Sequence, residues 1–176
     1  MPDTGFMSPD NVVANANTFF NTAWLVEASG IIVFLATTGT QTVDGFENDG
    51  TLPAGATITG AEVLLTNTYV TSGTGTFDIQ ISINGGSSFS TSITSGTINT
   101  TQTNDFTLGG SSNLWGLNWS SFSDLSQLQV KGLNPTTNIY AEHVQLKLHY
   151  TGGASPTRLT LSGGSITLNG GSLTIK

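Results

Sequence analysis

The densest group of possible ligands in this chain is Asp44-Gly-Phe-Glu47-Asn48-Asp49-Gly, where carboxylates and an amide oxygen crowd one short segment. Such oxygens suit Ca²⁺, but the spacing is not that of an EF-hand loop, and acid-rich Gly turns are ordinarily solvated. No metal is expected there. His143 and His149 share the outward parity of one stretch but stand six residues apart, too far to chelate a single ion, and read as exposed strand histidines. Glu142 falls on the inward parity, where an unpaired carboxylate would be costly. It is therefore expected at a sheet rim or bonded to the amides of a neighbouring loop. Trp115 and Trp119 could form a platform for sugar rings. The reading preferred here is a plug in the open end of a sandwich, because Leu114 and Leu117 accompany them and few hydrogen-bonding residues surround them. No Ser-His-Asp arrangement or phosphate-cradling motif occurs, and the eleven acids suggest no catalytic pair, so neither an enzyme nor a cofactor is expected.

The elements that must position these residues are strands. Residues 144–151 place Val144, Leu146, Leu148 and Tyr150 on one side and Gln145, Lys147, His149 and Thr151 on the other, the period of a half-buried strand. Residues 76–83 alternate as regularly, with Phe77, Ile79, Ile81 and Ile83 inward, and Asn84-Gly85-Gly86 closes them with a hairpin-type turn. Residues 57–67 also alternate, with a slip at Gly60 that predicts a bulge. Residues 31–37 are expected as a continuous apolar strand at the centre of a sheet, and further strands are expected at 90–93, 105–108 and 128–133. Residues 123–127 are predicted as a single helical turn capped by Ser123. Phe77, Ile79, Ile81, Val144, Leu146, Leu148 and Trp119 are the predicted core.

Composition agrees with an all-β chain of one domain. Charged residues are only 9% of the 176, against roughly 25% in ordinary globular proteins. Ser, Thr, Gly and Asn take their place; Thr favours strands and the 22 glycines favour turns. Uncharged polar surfaces are easily dehydrated against a partner, which suits life inside an assembly. The net charge of −7 leaves four cations, Lys131, Lys147, Arg158 and Lys176, too few to track a phosphate backbone, so nucleic acid is not an expected partner. The absence of cysteine excludes disulfides and thiolate metal sites. The longest apolar run, 31–36, is far short of the roughly 18 residues of a membrane span. Residues 1–17 carry two acids and no base, unlike a secretory signal, and a soluble chain made without export is expected.

Residues 159–176 form a repeat with a period of seven: Leu-Thr-Leu-Ser-Gly-Gly-Ser, Ile-Thr-Leu-Asn-Gly-Gly-Ser, Leu-Thr-Ile-Lys. Two glycines per unit exclude a coiled coil. Strands this short cannot bury their own faces, so Leu159, Leu161, Ile166, Leu168, Leu173 and Ile175 are expected at an interface between copies of the chain around a symmetry axis. The alternative is a disordered Gly/Ser linker.

Leu52-Pro-Ala-Gly-Ala-Thr-Ile-Thr-Gly-Ala-Glu-Val63, together with Leu108-Gly-Gly-Ser-Ser-Asn-Leu-Trp-Gly-Leu-Asn-Trp119 and the strand closing at Tyr150, resembles a β-sandwich domain of tailed-bacteriophage virion proteins. Such domains occur in head decoration (cement) proteins, tail proteins and fibres. The resemblance covers about residues 20–151, includes an early tryptophan matched by Trp24, and departs from the pattern at Glu142, where an Asp is expected. It implies an antiparallel sandwich or jelly roll in a virus particle. The expected organisation is an N-terminal arm over 1–20, a sandwich over 21–151, and the repeat tail over 152–176. The expected role is head decoration by a homotrimer, located in the virion after assembly in the host cytoplasm. Its partners would be the major capsid protein or other virion proteins, with no membrane involved. The alternative is a tail or tail-fibre protein whose sandwich binds a glycan or receptor.

Overall fold

Period-two patterning decides where the strands lie and which side of each is dry. The computed structural model describes residues 2–15, 33–35, 39–48, 50–101, 104–133 and 135–153. Ten strands lie among them: β1 (Asn11–Asn15), β2 (Val33–Leu35), β3 (Gln41–Asp44), β4 (Ala56–Val70), β5 (Asp78–Ser82), β6 (Ile93–Thr94), β7 (Asn104–Gly110), β8 (Gln129–Leu133), β9 (Ile139–Ala141) and β10 (His143–Gly152). Two short 3-10 turns, Phe46–Asn48 and Leu125–Gln127, are the helical elements of the described residues. None of these is long and apolar enough to cross a membrane, which leaves the question of a β-barrel untouched.

Every strand pairing is antiparallel. One sheet runs β1-β3-β8-β5-β6. The other is built on the long β4, which pairs with β7 on one side and with β10 and β9 on the other; β2 lies beyond β9 at the end of the sheet among the described residues, not at its centre as the apolar run suggests. The chain crosses between the sheets from β3 to β4, β4 to β5, β6 to β7, β7 to β8 and β8 to β9, so their inner faces close on one core. This is the all-β antiparallel sandwich that the alternation predicts.

β9 and β10 are one long strand in all but name. Tyr140 lies opposite Tyr69 and His143 opposite Thr66, a single unbroken register along β4. The Tyr69 and Tyr140 rings stack with centroids 5.0 Å apart, a cross-strand pair of the kind that fixes register. The break between the two falls at Glu142, whose amide still donates to the Thr66 carbonyl at 3.0 Å. The bulge expected near Gly60 is present: Gly60 faces His149 and Ile58 faces Tyr150, leaving Thr59 as the extra residue.

The seven predicted core residues all lie in one buried cluster with Met7, Phe46, Val63, Leu65 and Trp115. Ile83 and Tyr150 sit at its margin, half-buried. Three local expectations need correction. The strand expected at 90–93 shrinks to Ile93–Thr94, because Ser90 meets the β5 backbone with its side chain, its hydroxyl accepting from the Ile81 amide at 2.9 Å. The turn after Phe122 is capped by Asp124, not Ser123, its carboxylate accepting from the Ser126 amide at 3.0 Å. Within the segment expected as an arm, residues 2–15 are part of the sandwich. Met7 exchanges backbone hydrogen bonds with Leu146 at 2.8 and 2.9 Å, and β1 then pairs with β3 in the opposite sheet. The segment therefore straps the two sheets together along one edge, with Met7 fully buried beneath it. Its Asn-rich composition concealed this, since the affinity comes from backbone pairing to an open β10 edge and from one apolar side chain. Trp24 and all but residues 152 and 153 of the tail lie outside the described residues.

Candidate functional site

The Leu-Trp-Gly loop folds back on the start of β4. The Ala61 amide donates to the Asn113 carbonyl at 3.0 Å, and the Trp115 indole N–H donates to the Ala61 carbonyl at 2.9 Å. Ala61 thus gives both its backbone groups to the loop. Gly60 and Gly109 make the approach possible: a Cβ at Gly60 would run into the Gly110 carbonyl, and one at Gly109 into the Ala61 carbonyl and the Trp115 indole. Trp115 adopts a left-handed backbone, φ 57, which is strained for a large side chain. The Asn113 side chain holds it there by accepting from the Trp115 amide at 2.9 Å. Trp115 is 1% exposed and Trp119 5%. Trp119 donates to the Leu114 carbonyl at 3.0 Å and meets Phe122 edge-on at 5.2 Å. Both indoles are inside, so the plug reading describes them and a sugar-stacking platform on these residues does not.

The outward face of β4 and β10 carries the best-defined charge cluster among the described residues. The Lys147 ammonium lies 2.7 Å from one Glu62 oxygen, and His149 Nε2 lies 2.9 Å from the other. The same ammonium stands 4.4 Å from the centroid of the Phe6 ring. Burial pushes the Glu62 carboxyl up, but hydrogen bonds from Lys147 and His149, with their charges, outweigh it and hold the group below the usual carboxylate range. His149 is 7% exposed, which corrects the expectation of an exposed histidine. The N-terminal segment runs past it, with Asp3 opposite His149 in an antiparallel bridge. Strand parity predicts which face a residue occupies, and cannot show that another segment covers that face. His143, six positions away on the same side, is half-buried.

The Asp44 segment does not gather its oxygens into one site. Asp44 accepts from the Asn11 side chain at 3.0 Å, tying β3 to β1, Glu47 faces solvent, and Asp49 and the Asn48 side chain lie outside the described residues. No cluster of three or more metal-binding side chains occurs among the described residues. Glu142 is exposed at the rim where β9 breaks into β10 and accepts from the Asn67 amide side chain at 2.5 Å, as its awkward parity implied. The six interface residues expected in the repeat, Leu159, Leu161, Ile166, Leu168, Leu173 and Ile175, lie outside the described residues.

One feature escaped the sequence reading. Asn84 from the turn after β5, and Asn118, Ser121, Ser123, Asp124 and Gln127 from the segment before β8, line a polar cleft of about 270 Å³ together with Ile83 and Phe122. Asp124 is held below its ordinary carboxylate range by hydrogen bonds from the Ser126 hydroxyl and amide. Residues so far apart in sequence meet only because β5 and β8 are neighbours in the sheet. No linear motif signals them.

No family model matches the chain, and no curated protein matches it. Among solved structures it is similar to a Clostridium thermocellum protein, the CBM22-1–GH10 modules of the N-terminal endo-1,4-β-D-xylanase 10B complexed with xylohexaose. The identity is 9% and the TM-score 0.34, over 91% of this chain and 29% of that one. The chain thus spans under a third of that protein's length, and a likeness of this size bears on neither ligand nor activity.

Proposed function

We propose that this chain is a structural protein of a bacteriophage virion, a head decoration or cement protein that stabilises the shell as a homotrimer. One observation supports this most: the two segments that carry the resemblance to phage sandwich domains, 52–63 and 108–119, form a single interlocked unit through Ala61, Asn113 and Trp115. The pattern is thus a packing device of one particular sandwich. The role is structural rather than catalytic, and the surface chemistry suits it. With few charges and many Ser, Thr and Gly residues, the outer faces lose little on dehydration against the major capsid protein or a neighbouring copy. A place on the tail, with loops that recognise a receptor, is the alternative.

In this reading the repeat joins the subunits. Its six apolar residues contribute about 1.5–3 kcal/mol each when buried, comparable to the backbone entropy of ordering the repeat at about 1–2 kcal/mol per residue. It would fold only when shared between chains. Deleting residues 159–176 tests this: light scattering on the truncated protein should find a folded monomer that binds the particle weakly. An intact oligomer with full particle binding would overturn the role given to the repeat.

A further inference from the structure

We propose that the cleft between the turn after β5 and the segment before β8 is a binding site for a neutral saccharide. The inference does not rest on the assignment to the phage head, since a site at this end of the sandwich could serve on any part of a particle.

The lining selects the ligand class. Asn84, Asn118 and Gln127 bring amides, and Ser121 and Ser123 bring hydroxyls, so most groups around the cleft can both donate and accept. That matches the hydroxyls of a sugar, each of which is donor and acceptor at once. Asp124 adds an ionised carboxylate, a strong acceptor for sugar hydroxyls. Among the described residues no Lys, Arg or His lines the cleft, so phosphorylated or sulfated ligands find no counter-charge among them. A lone carboxylate among neutral groups is also a poor match for Ca²⁺, which takes several anionic oxygens in a full coordination shell. Ile83 and Phe122 add the apolar part of the lining, against which the C–H face of a sugar ring can rest. The volume of about 270 Å³ falls just below the roughly 300–1,000 Å³ of small-molecule sites, room for about one or two sugar rings.

The walls are held in place before any ligand arrives. Asn84 Oδ1 accepts from the Ser82 hydroxyl at 2.9 Å and the Ser88 amide at 3.0 Å, while its Nδ2 donates to the Ser88 hydroxyl at 2.8 Å. Asp124 Oδ1 accepts from the Ser126 hydroxyl at 2.7 Å and amide at 3.0 Å. Asn118 Oδ1 accepts from the Ser120 amide at 3.1 Å. Asn84 has both side-chain polar atoms engaged and the Asp124 carboxylate is also bonded by the Gln127 side chain, whereas in Asn118 Nδ2 is left without a bond among the described residues. The Ser121 and Ser123 hydroxyls likewise hold no structural hydrogen bond among them. Walls fixed on one side and open on the other spare a ligand much of the ordering entropy of binding.

The experiment is an amide NMR titration of the full chain with glucose, galactose, mannose, rhamnose and N-acetylglucosamine, each alone at tens of millimolar. Glucose 6-phosphate and CaCl₂ serve as separate probes. At least one neutral sugar should give saturable shifts confined to the backbone and side-chain amides of Asn84, Asn118 and Gln127 and their neighbours. Ser121→Ala with Ser123→Ala should weaken that binding at least about tenfold with the fold intact, since neither hydroxyl supports the structure. Ser123→Trp, which fills the cleft, should abolish it, and Thr107→Ala on β7 should leave it unchanged. Shifts with none of the neutral sugars, shifts mapping elsewhere, preference for the phosphate or the cation, or undiminished binding in the Ser123→Trp protein would each overturn the proposal.

Discussion

Replacing Trp115 by Phe probes the interlock on which the sandwich closes. The substitution keeps a buried aromatic ring and removes the indole N–H that donates to the Ala61 carbonyl at 2.9 Å. Ala61 is itself 0% exposed, so its carbonyl loses a donor that water cannot replace, a loss of about 1–3 kcal/mol. The smaller ring leaves part of a site that is 1% exposed empty; full truncation of a buried aromatic costs about 3–5 kcal/mol, and removal of part of one about 1 kcal/mol. The sum is about 2–4 kcal/mol. At roughly 2–4 °C per kcal/mol for a chain of this size, the melting temperature should fall by about 4–16 °C. Urea unfolding followed by circular dichroism gives the free energy directly. Trp119→Phe is the internal comparison. Its indole donates within its own loop, to the carbonyl of Leu114, a residue 39% exposed, so water can replace the lost donor and the cost should be smaller. A Trp115→Phe loss below about 0.5 kcal/mol, or one smaller than that of Trp119→Phe, would refute the interlock.

Ile81→Ala should lose about 2–5 kcal/mol in the same assay, because Ile81 is fully buried in the shared core. Glu62 predicts an acid-side dependence: its carboxyl is held below the ordinary range, so its contribution is present above the unfolded value of about 4.3 and is lost as pH falls through the lower folded value. Glu62→Gln should therefore flatten the acid limb of the stability curve and converge with the parent in strong acid; an unchanged limb would show that the Lys147 and His149 contacts do not form. Chelation should leave the melting temperature unchanged, and a drop of many degrees would point to Asp44, Glu47 and Asp49 as metal ligands.

The fold was legible where one face of a strand is wet and the other dry. The inward sides of β5 and β10 could be read from alternation, although Ser82, on the outward parity of β5, is fully buried, and even the Thr59 bulge announced itself as a slip at Gly60. What was not legible depends on contacts between distant segments. Met7 and Asp3 sit in a polar stretch that looks detachable, yet they pair with β10 and bury His149. Ser90 shortens a predicted strand by using its hydroxyl where a backbone group was expected. Ser123 and Asp124 are both good caps by type, and only geometry decides between neighbours. The cleft is the extreme case, since Asn84 and Asn118 mean nothing until β5 and β8 lie side by side. The two tryptophans were readable as a plug, although their carbonyl partners were not.

In the function proposed above, this chain is built into a virus particle. Gold-labelled antibody against the folded sandwich, imaged by electron microscopy on particles from a lysate that contains the protein, tests it most directly. Label should be distributed over the heads and much reduced on particles assembled with the chain lacking residues 159–176. Label confined to tails would move the protein to the alternative role, and particles bare of label would contradict the virion assignment altogether.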